Sequence, residues 1–263
     1  MPAPENLMAD WNPSLYLRFE DERTRPARDL LDRVPLQSVT HTVDIGCGPG
    51  NSTELLAERW PGADHLGIDT SDAMLADARR RLPSARFEKG DALHWQAAKA
   101  PDLIFANAVM QWVPGHAALL PRLLAQTAPG GVIAVQMPDN LEEPSHRLMR
   151  ETALLGPWAP RIAEGGRIRE PILSGEDYYN LFANQASMID IWRTTYFHVL
   201  DDAPAIVSWV RATGLRAYLD LLDESEQPRF LEEYTARIAQ AYPARADGKV
   251  VLAFPRIFVV AKR

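Results

Sequence analysis

Apolar residues in the first half of the chain follow two alternating patterns. Short apolar or β-branched runs, typical of buried strands, occupy residues 40–46, 64–69, 85–91, 101–109 and 130–138. Stretches between them have helical spacing and begin or end at capping residues or prolines, over residues 51–60, 70–82 and 118–127. In the last of these helices we expect Pro121 in the first turn. Strands that alternate with helices predict a parallel sheet covered on both faces.

The pattern loosens after Pro138. Here the sequence predicts helices at 142–155, from 175, at 203–222 and at 225–241, a Gly/Pro-rich loop at 156–175, and strands at 187–200 and 250–263, with a boundary at Pro255. A further helix is predicted near the start, at 14–34. The predicted fold is α/β: a doubly wound, mostly parallel seven-stranded sheet with an appended, mainly helical region.

Composition and charge narrow the possible functions. The net charge of −7 disfavours broad binding of nucleic acid, and no apolar run reaches the length of a membrane span. A single cysteine, Cys47, excludes a disulfide framework, so we expect a cytoplasmic protein. The six histidines are scattered, and no metal site is expected.

The stretch "VDIGCGPGNST", residues 43–53, places three glycines between the first predicted strand and its helix. Gly46, Gly48 and Gly50 predict a tight turn at the carboxyl end of the sheet, where such folds bind ligands. The dinucleotide fingerprint G-x-G-x-x-G needs a glycine at position 51, which is Asn51. A nicotinamide-dependent dehydrogenase is therefore the weaker reading.

An acidic residue inside this turn favours a different ligand. Asp44 completes the pattern Asp/Glu-x-Gly-x-Gly-x-Gly. Its carboxylate would repel a pyrophosphate but can accept a hydrogen bond from an amine or a bridging water. The pattern resembles that of class I S-adenosylmethionine-dependent methyltransferases.

That resemblance assigns further residues to S-adenosylmethionine. Asp69, 19 residues after Gly50, would accept both ribose hydroxyls. In "GDALHW", Asp91 would hold the adenine amino group and Ala92 would contact the ring through its backbone. In "ANAVMQWV", Asn107 and Ala108 would lie beside the methionine moiety. The helix that opens after Asp69 adds two more cofactor-binding candidates, Thr70 and Met74.

Stretches outside this core resemble a narrower family. "WNPSLYLRFEDERTRPARDLL" (11–31), "WVRATGLRAYLDLL" (209–222) and "FPRIFVVAKR" (254–263) look like the trans-aconitate 2-methyltransferase family. The resemblance implies methyl transfer to a carboxylate of trans-aconitate, or of a closely related small polycarboxylic acid, to give a monomethyl ester.

A carboxylate acceptor fits the residues independently. It is ionised at pH 7, so no catalytic acid or base is expected, and the protein must instead orient it. All but four of the 28 basic residues are arginines, which grip carboxylates through two parallel hydrogen bonds. The substrate-binding candidates are Tyr16, Arg25, Trp112, Arg167, Tyr196, Arg211 and Arg216, drawn from a wider set that includes Arg18, Arg161, Arg169 and Arg193.

Two other functions remain open from the sequence. A phenol or amine acceptor would need a base, for which His116, His146 and His198 are candidates. A protein that binds S-adenosylmethionine without catalysis is the second. The predicted organisation is a helical lid at 1–35, an S-adenosylmethionine-binding core at 36–140, and substrate-side helices with the final strands at 141–263. The sequence leaves the oligomeric state open.

Overall fold

The computed structural model describes residues 20–165, 169, 171–211 and 213–263. Its strands are β1 (His41–Ile45), β2 (Asp64–Asp69), β3 (Arg86–Lys89), β4 (Leu103–Asn107), β5 (Val132–Pro138), β6 (Met188–Leu200) and β7 (Val250–Lys262). Its α-helices are α1 (Glu20–Asp32), α2 (Asn51–Arg59), α3 (Asp72–Arg81), α4 (His116–Gln126), α5 (Pro144–Leu155), α6 (Ala159–Gly165), α7 (Gly175–Phe182), α8 (Ala203–Arg211), α9 (Arg216–Leu219) and α10 (Glu226–Ala241).

The strands form one seven-stranded sheet in the order β3-β2-β1-β4-β5-β7-β6. The pairs β1–β2, β1–β4, β2–β3 and β4–β5 are parallel. Val43 of β1 is in register with Leu66 on one side and Ile104 on the other. The carboxyl ends of β1 to β4 therefore lie along one edge of the sheet. The predicted α/β class with a mostly parallel sheet is confirmed.

The described residues form two compact units. The first contains the chain up to Met137 together with Ile172–Trp192 and Ile257–Arg263, and the second contains Pro138–Pro171 and Arg193–Arg256. Strands β6 and β7 each pass from one unit to the other along their length. The predicted domain boundaries at 35 and 140 stay a prediction.

The core of the first unit explains why its strands read as continuous apolar runs. Every residue of β1 and of β5 is buried, as expected for parallel strands covered on both faces. Leu120, Leu123 and Leu124 of α4 pack on them at helical spacing. The start of α3 is fixed by Ser71, whose hydroxyl accepts a hydrogen bond from the backbone N–H of Met74 at 3.3 Å.

Two predictions about helices were wrong, one about the start of a helix and one about a break within a helix. Helix α4 begins at His116, so Pro121 lies in the second turn, where the carbonyl it leaves unpaired belongs to the exposed Ala117 and can bind water. The segment predicted as one helix at 203–222 is broken beside Gly214, where the N–H groups of Thr213 and Leu215 both bond to the carbonyl of Val210.

Two predictions about the second unit also need correction. The Gly/Pro-rich stretch at 156–175 contains α6, anchored by the buried Trp158, whose indole N–H donates to the carbonyl of Thr152 at 2.9 Å. Strand β7 continues through Pro255, although the change from the second unit to the first falls just after Arg256.

Within the described residues, no helix is both long and apolar enough to cross a bilayer. Across the same part of the chain, no three His, Cys, Asp or Glu side chains are grouped so that they could hold a metal ion.

Candidate active site

The three glycines form the turn between β1 and α2 with left-handed backbone angles. The φ values are 69° at Gly46, 54° at Gly48 and 91° at Gly50, which side chains rarely adopt. The turn is tied to the neighbouring strand because the N–H groups of Gly46 and Cys47 both donate to the carbonyl of Ile68, at 2.7 and 3.0 Å. The sequence prediction of a tight glycine turn is confirmed.

The three positions differ in what surrounds them. A Cβ at position 46 would lie 2.3 Å from a methyl carbon of Val109, and one at position 50 would lie 3.2 Å from the Cα of Ala78. At Gly48 no heavy atom of the described residues, apart from its own chain neighbours, lies within 4 Å of that point. The outer glycines are therefore required for packing, while no described residue fills the space beside Gly48.

Asp44 lies beneath this turn and is fully buried. One carboxylate oxygen, Oδ2, accepts hydrogen bonds from the hydroxyls of Ser52 and Thr53 in the first turn of α2, both at 2.7 Å. The other oxygen, Oδ1, is buried and has no hydrogen-bond partner among the described residues. Burial raises the pKa of Asp44 to about 7, although the two hydroxyls act in the opposite direction.

Asp69 joins two loops at the end of β2. Its Oδ2 accepts from the N–H of Gly48 at 2.9 Å, and its Oδ1 accepts from the N–H of Ser71 at 2.9 Å. Each oxygen keeps a further lone pair, so the half-buried carboxylate can still accept from two ligand hydroxyls. In the segment that follows Asp69, Met74 is buried and Thr70 is exposed.

The turn after β3 carries Asp91 and Ala92. Asp91 is exposed and its carboxylate accepts from the N–H of Leu93 at 2.9 Å, while Ala92 is buried. Arg122 of α4 holds this turn by donating to the carbonyls of Ala92, Leu93 and Trp95 at 2.8, 3.1 and 2.7 Å. Sequence reasoning missed Arg122, because its three partners are backbone atoms 27 to 30 residues away.

The turn after β4 has an unusual backbone at Ala108. Its φ of 54° makes it the one described residue other than glycine with a positive φ. Its N–H donates to the carbonyl of Gln136 at 2.8 Å, and its carbonyl accepts from the side-chain amide of Gln111 at 2.7 Å. Because Val109 packs against Gly46, this strained turn forms a wall of the same site as the glycine turn.

Gln111 is the second residue that sequence reasoning missed. Its side chain is 9% exposed, its Nε2 braces Ala108, and its Oε1 is buried without a partner among the described residues. The only sequence signal is its place three residues after Ala108, which lets a short 3-10 turn at Met110–Trp112 bring the two together.

The structure brings the predicted cofactor residues to one edge of the sheet. Asp44 and the glycine turn follow β1, Asp69 follows β2, Asp91 follows β3 and Asn107 ends β4. The edge therefore offers carboxylate acceptors, backbone donors and, beside Gly48, space that no described residue fills. Such a set suits a ligand with hydroxyl and amino groups better than a polyphosphate.

The predicted substrate residues are scattered. Tyr16 and Arg167 lie outside the described residues. Arg25 is exposed on α1, and Trp112 is 37% exposed at the end of the 3-10 turn. In the second unit, Tyr196 is buried, Arg211 is exposed and Arg216 pairs with Asp220 at 3.2 Å. Their role in substrate binding stays a prediction.

The three candidate histidine bases are all buried. His116 uses both ring nitrogens, at 2.8 Å from the carbonyl of Met110 and 2.8 Å from the hydroxyl of Tyr178. Burial, reinforced by two arginines, lowers the pKa of His146 to about 3. The ring centroid of His198 lies 4.3 Å from that of Trp209, with the two rings tilted by 34°. None of the three is exposed enough to exchange a proton freely with an acceptor, so the arrangement disfavours base catalysis.

The chain is similar in sequence to known methyltransferases. Residues 42–131 match the family described as "Methyltransferase domain". Over 97% of this chain and 99% of the relative's length, the sequence is 58% identical to a protein of Methylobacterium radiotolerans named trans-aconitate 2-methyltransferase. A protein of Variovorax paradoxus with the same name is 57% identical over the same shares.

The chain belongs to the trans-aconitate 2-methyltransferase family. The resemblance inferred from the flanking stretches of the sequence is thereby confirmed. Within the family-matched span lie Asp44, Asp69 and the glycine turn.

Solved structures extend the comparison to the fold of this trans-aconitate 2-methyltransferase family member. The YcgJ protein of Bacillus subtilis superposes with a TM-score of 0.58 at 11% identity, over 91% of this chain and 98% of that chain. A phosphoethanolamine N-methyltransferase 2 of Haemonchus contortus, in complex with S-adenosyl-L-methionine, gives 0.52 at 17% identity, over 90% and 52%. Both comparisons concern the α/β fold alone.

Proposed function

We propose that this protein is an S-adenosylmethionine-dependent methyltransferase that forms the monomethyl ester of trans-aconitate. The observation that carries the proposal is the 57–58% identity to trans-aconitate 2-methyltransferases along 97% of the chain. Because the similarity covers 97% of the chain, it includes the second unit as well as the sheet.

The residues at the sheet edge fit S-adenosylmethionine. Asp69 retains lone pairs for the two ribose hydroxyls, and Gly48 leaves room for the ligand beside the turn. The Oδ1 of Asp44, which has no partner in the part of the chain that the structure describes, is a buried acceptor that an ammonium group, directly or through a water, would satisfy. Asp91, Ala92, Asn107, Ala108, Thr70 and Met74 are proposed to complete the site.

When bound, S-adenosylmethionine supplies an electrophilic methyl group on a sulfonium sulfur, which keeps the bonding electrons when the methyl leaves. The acceptor carboxylate is already ionised at pH 7, so the protein removes no proton. This agrees with the burial of His116, His146 and His198. The residues must hold the acceptor oxygen in line with the bond between sulfur and methyl, and they must exclude water. Orientation alone can lower the activation barrier by about 7–11 kcal/mol.

Several details of the proposal come from the sequence. Arg25, Arg211, Arg216, Trp112 and Tyr196 are proposed as contacts of the substrate. We also propose that the protein neither binds nucleic acid nor requires a metal, and that it works in the cytoplasm, where its one buried cysteine stays reduced.

The proposal is tested by mass spectrometry after incubation with isotopically labelled S-adenosylmethionine and four acids: trans-aconitate, cis-aconitate, citrate and isocitrate. We expect a gain of one labelled methyl on trans-aconitate. Labelling of a phenol or amine panel and of no acid would contradict the assignment of the acceptor.

A matched pair of variants links the activity to the sheet edge. Asp69→Asn removes the charge that faces the ribose, so we expect S-adenosylhomocysteine to bind about 10–100-fold more weakly. Asp77→Asn changes an acid of α3 that pairs with Arg80 at the surface and should leave binding unchanged. Equal affinities for the two variants, measured by calorimetry, would contradict the role of Asp69.

A further inference from the structure

A group of polar and cationic side chains in the second unit is unused by the site described above. We call it the arginine cluster and define it as Asn140, His146, Arg150, Arg169 and Tyr218. Asn140 follows β5, His146 and Arg150 lie on α5, and Tyr218 lies on α9. Its members come from four separate segments of the unit.

Asn140 contributes a buried donor. Its side chain is 1% exposed, and its Oδ1 accepts from Arg169 at 2.9 Å. Because the guanidinium can only donate, this bond fixes which end of the amide is oxygen. The amide nitrogen Nδ2 is buried and has no hydrogen-bond partner among the described residues. A buried donor left unpaired costs free energy, so an acceptor is expected there.

Two arginines belong to the same cluster. Arg169 also donates to the carbonyl of Pro138, and Arg150 donates to the carbonyl of Leu141, so both guanidinium groups are held in place by backbone atoms. The charge of each acts on His146, where it adds to burial in keeping the imidazole neutral. Arg150 also acts on the buried phenol of Tyr218.

The charge of Arg150 is only weakly compensated by its acidic partner. Arg150 pairs with Glu142 at 2.9 Å, but the Glu142 side chain is 86% exposed and its attraction is therefore screened by water. The guanidinium group of Arg150 has five N–H donors, so it can also bind a ligand carboxylate.

We propose that the arginine cluster binds a carboxylate of the acceptor acid. This rests on the proposed function and adds the chemistry by which a tricarboxylate is selected. The amide N–H of Asn140 and the guanidinium groups of Arg150 and Arg169 are donors to the carboxylate oxygens, and the phenol of Tyr218 adds another.

A bound carboxylate would supply the acceptor that the Nδ2 of Asn140 lacks among the described residues. It would also give Arg150 a counter-charge less screened than the exposed carboxylate of Glu142.

The test is calorimetric titration of trans-aconitate into the full chain saturated with S-adenosylhomocysteine, which prevents turnover. Asn140→Asp keeps the size of the side chain and an oxygen for Arg169 but places negative charge where the proposal places the carboxylate. We expect its dissociation constant for trans-aconitate to rise on the order of 100-fold. For Arg150→Met we expect a rise of about 10–100-fold, and for Arg150→Lys a smaller one.

A control on the same helix removes an equal charge from the surface. Arg147 is 48% exposed and pairs with Glu151 at 2.9 Å. Arg147→Met should bind trans-aconitate within about twofold of the wild-type protein, and all four variants should bind S-adenosylhomocysteine normally.

The outcomes separate this inference from the proposed function. If the wild-type protein methylates trans-aconitate while Asn140→Asp and Arg150→Met bind it normally, the inference is overturned and the function stands. If the wild-type protein neither binds nor methylates it, the proposed function fails. Should Asn140→Asp lose S-adenosylhomocysteine binding through misfolding, the comparison of Arg150→Met with Arg147→Met decides.

Discussion

The carboxyl edge of β1 to β4 and the arginine cluster are built for ligands of opposite charge. At the sheet edge the side chains are carboxylates, the donors are backbone N–H groups, and the geometry is set by glycines. In the cluster the side chains are cations and amides held by backbone carbonyls. An electrophile with a positive sulfonium and a substrate with three negative carboxylates need these two environments.

The two regions also differ in how far apart their residues lie in the sequence. Each part of the sheet edge lies within a few residues of a strand end, so short motifs describe it. The cluster joins side chains at positions 140, 146, 150, 169 and 218, which only tertiary folding brings together. We therefore expect substitutions at the sheet edge to act through backbone geometry, and those in the cluster to act through charge.

The largest predicted effect contrasts two glycines of the turn. Gly46→Ala should lower the free energy of unfolding by about 2–5 kcal/mol, because the added Cβ meets Val109 in a strained backbone. Gly48→Ala introduces the same left-handed backbone strain, but its Cβ meets no described residue. It should therefore lower the free energy of unfolding by only about 1–2 kcal/mol. Its affinity for S-adenosylhomocysteine should nevertheless fall at least tenfold.

Urea unfolding and calorimetry check this contrast. If Gly48→Ala binds S-adenosylhomocysteine as tightly as the wild-type protein, the open space at Gly48 does not face the ligand. If Gly46→Ala is as stable as the wild-type protein, Val109 and the glycine turn are not packed together as described.

The second predicted effect is a pH dependence due to Asp44. Its pKa is about 7 in the folded chain and 3.8 in the unfolded chain, so between these values the folded state binds one proton more. The free energy of unfolding should therefore fall as the pH rises from about 4 to about 7, by at most about 4 kcal/mol. Asp44→Asn should lack this contribution.

The contribution of Asp44 is measured by unfolding the wild-type protein and Asp44→Asn in urea at pH 5 and at pH 8. It is the difference between the two proteins in how their free energy of unfolding changes with pH. Carboxyls with lowered pKa, such as Asp64 and Asp102, act in the opposite direction but contribute equally to both. Identical pH profiles for the wild-type protein and Asp44→Asn would contradict the burial of an unsatisfied carboxylate under the turn.

The smallest predicted effect concerns the brace on Ala108. Gln111→Leu removes the bond to the Ala108 carbonyl and should relax the turn by about 0.5–1.5 kcal/mol, which raises the KM for S-adenosylmethionine a few-fold. Gln126→Leu is the control, since Gln126 of α4 bonds to the N–H of Ala97 instead. Steady-state kinetics that show equal KM values for the two variants would exclude a positioning role for Gln111.

Much of the fold and of the sheet edge was predictable from the sequence. Buried parallel strands read as continuous apolar runs, and a left-handed turn at a strand end requires glycine at Gly46 and Gly50. Asp44 and Asp69 were predictable because their places follow from those of the turn and of the next strand. Their use as cofactor ligands is still a prediction.

Other features of the structure could not be predicted, because no local sequence pattern marks the residues that form them. Arg122 and Gln111 act on backbone carbonyls, which any sequence supplies, so nothing in the pattern distinguishes them from surface residues. Helix α6 was missed because the buried Trp158 outweighs the neighbouring glycines and prolines. At the break, a Cβ on Gly214 would lie 3.2 Å from the Nε2 of His146 on another helix, a contact that no local pattern reveals.

The most direct test of the two-region account is a crystal structure of the protein with S-adenosylhomocysteine and trans-aconitate. The account predicts ribose hydroxyls on the Asp69 carboxylate, the nucleoside beside Gly48, and a carboxylate of trans-aconitate on the Nδ2 of Asn140. A nucleoside bound away from the glycine turn, or a trans-aconitate that touches neither Asn140 nor Arg150, would contradict it.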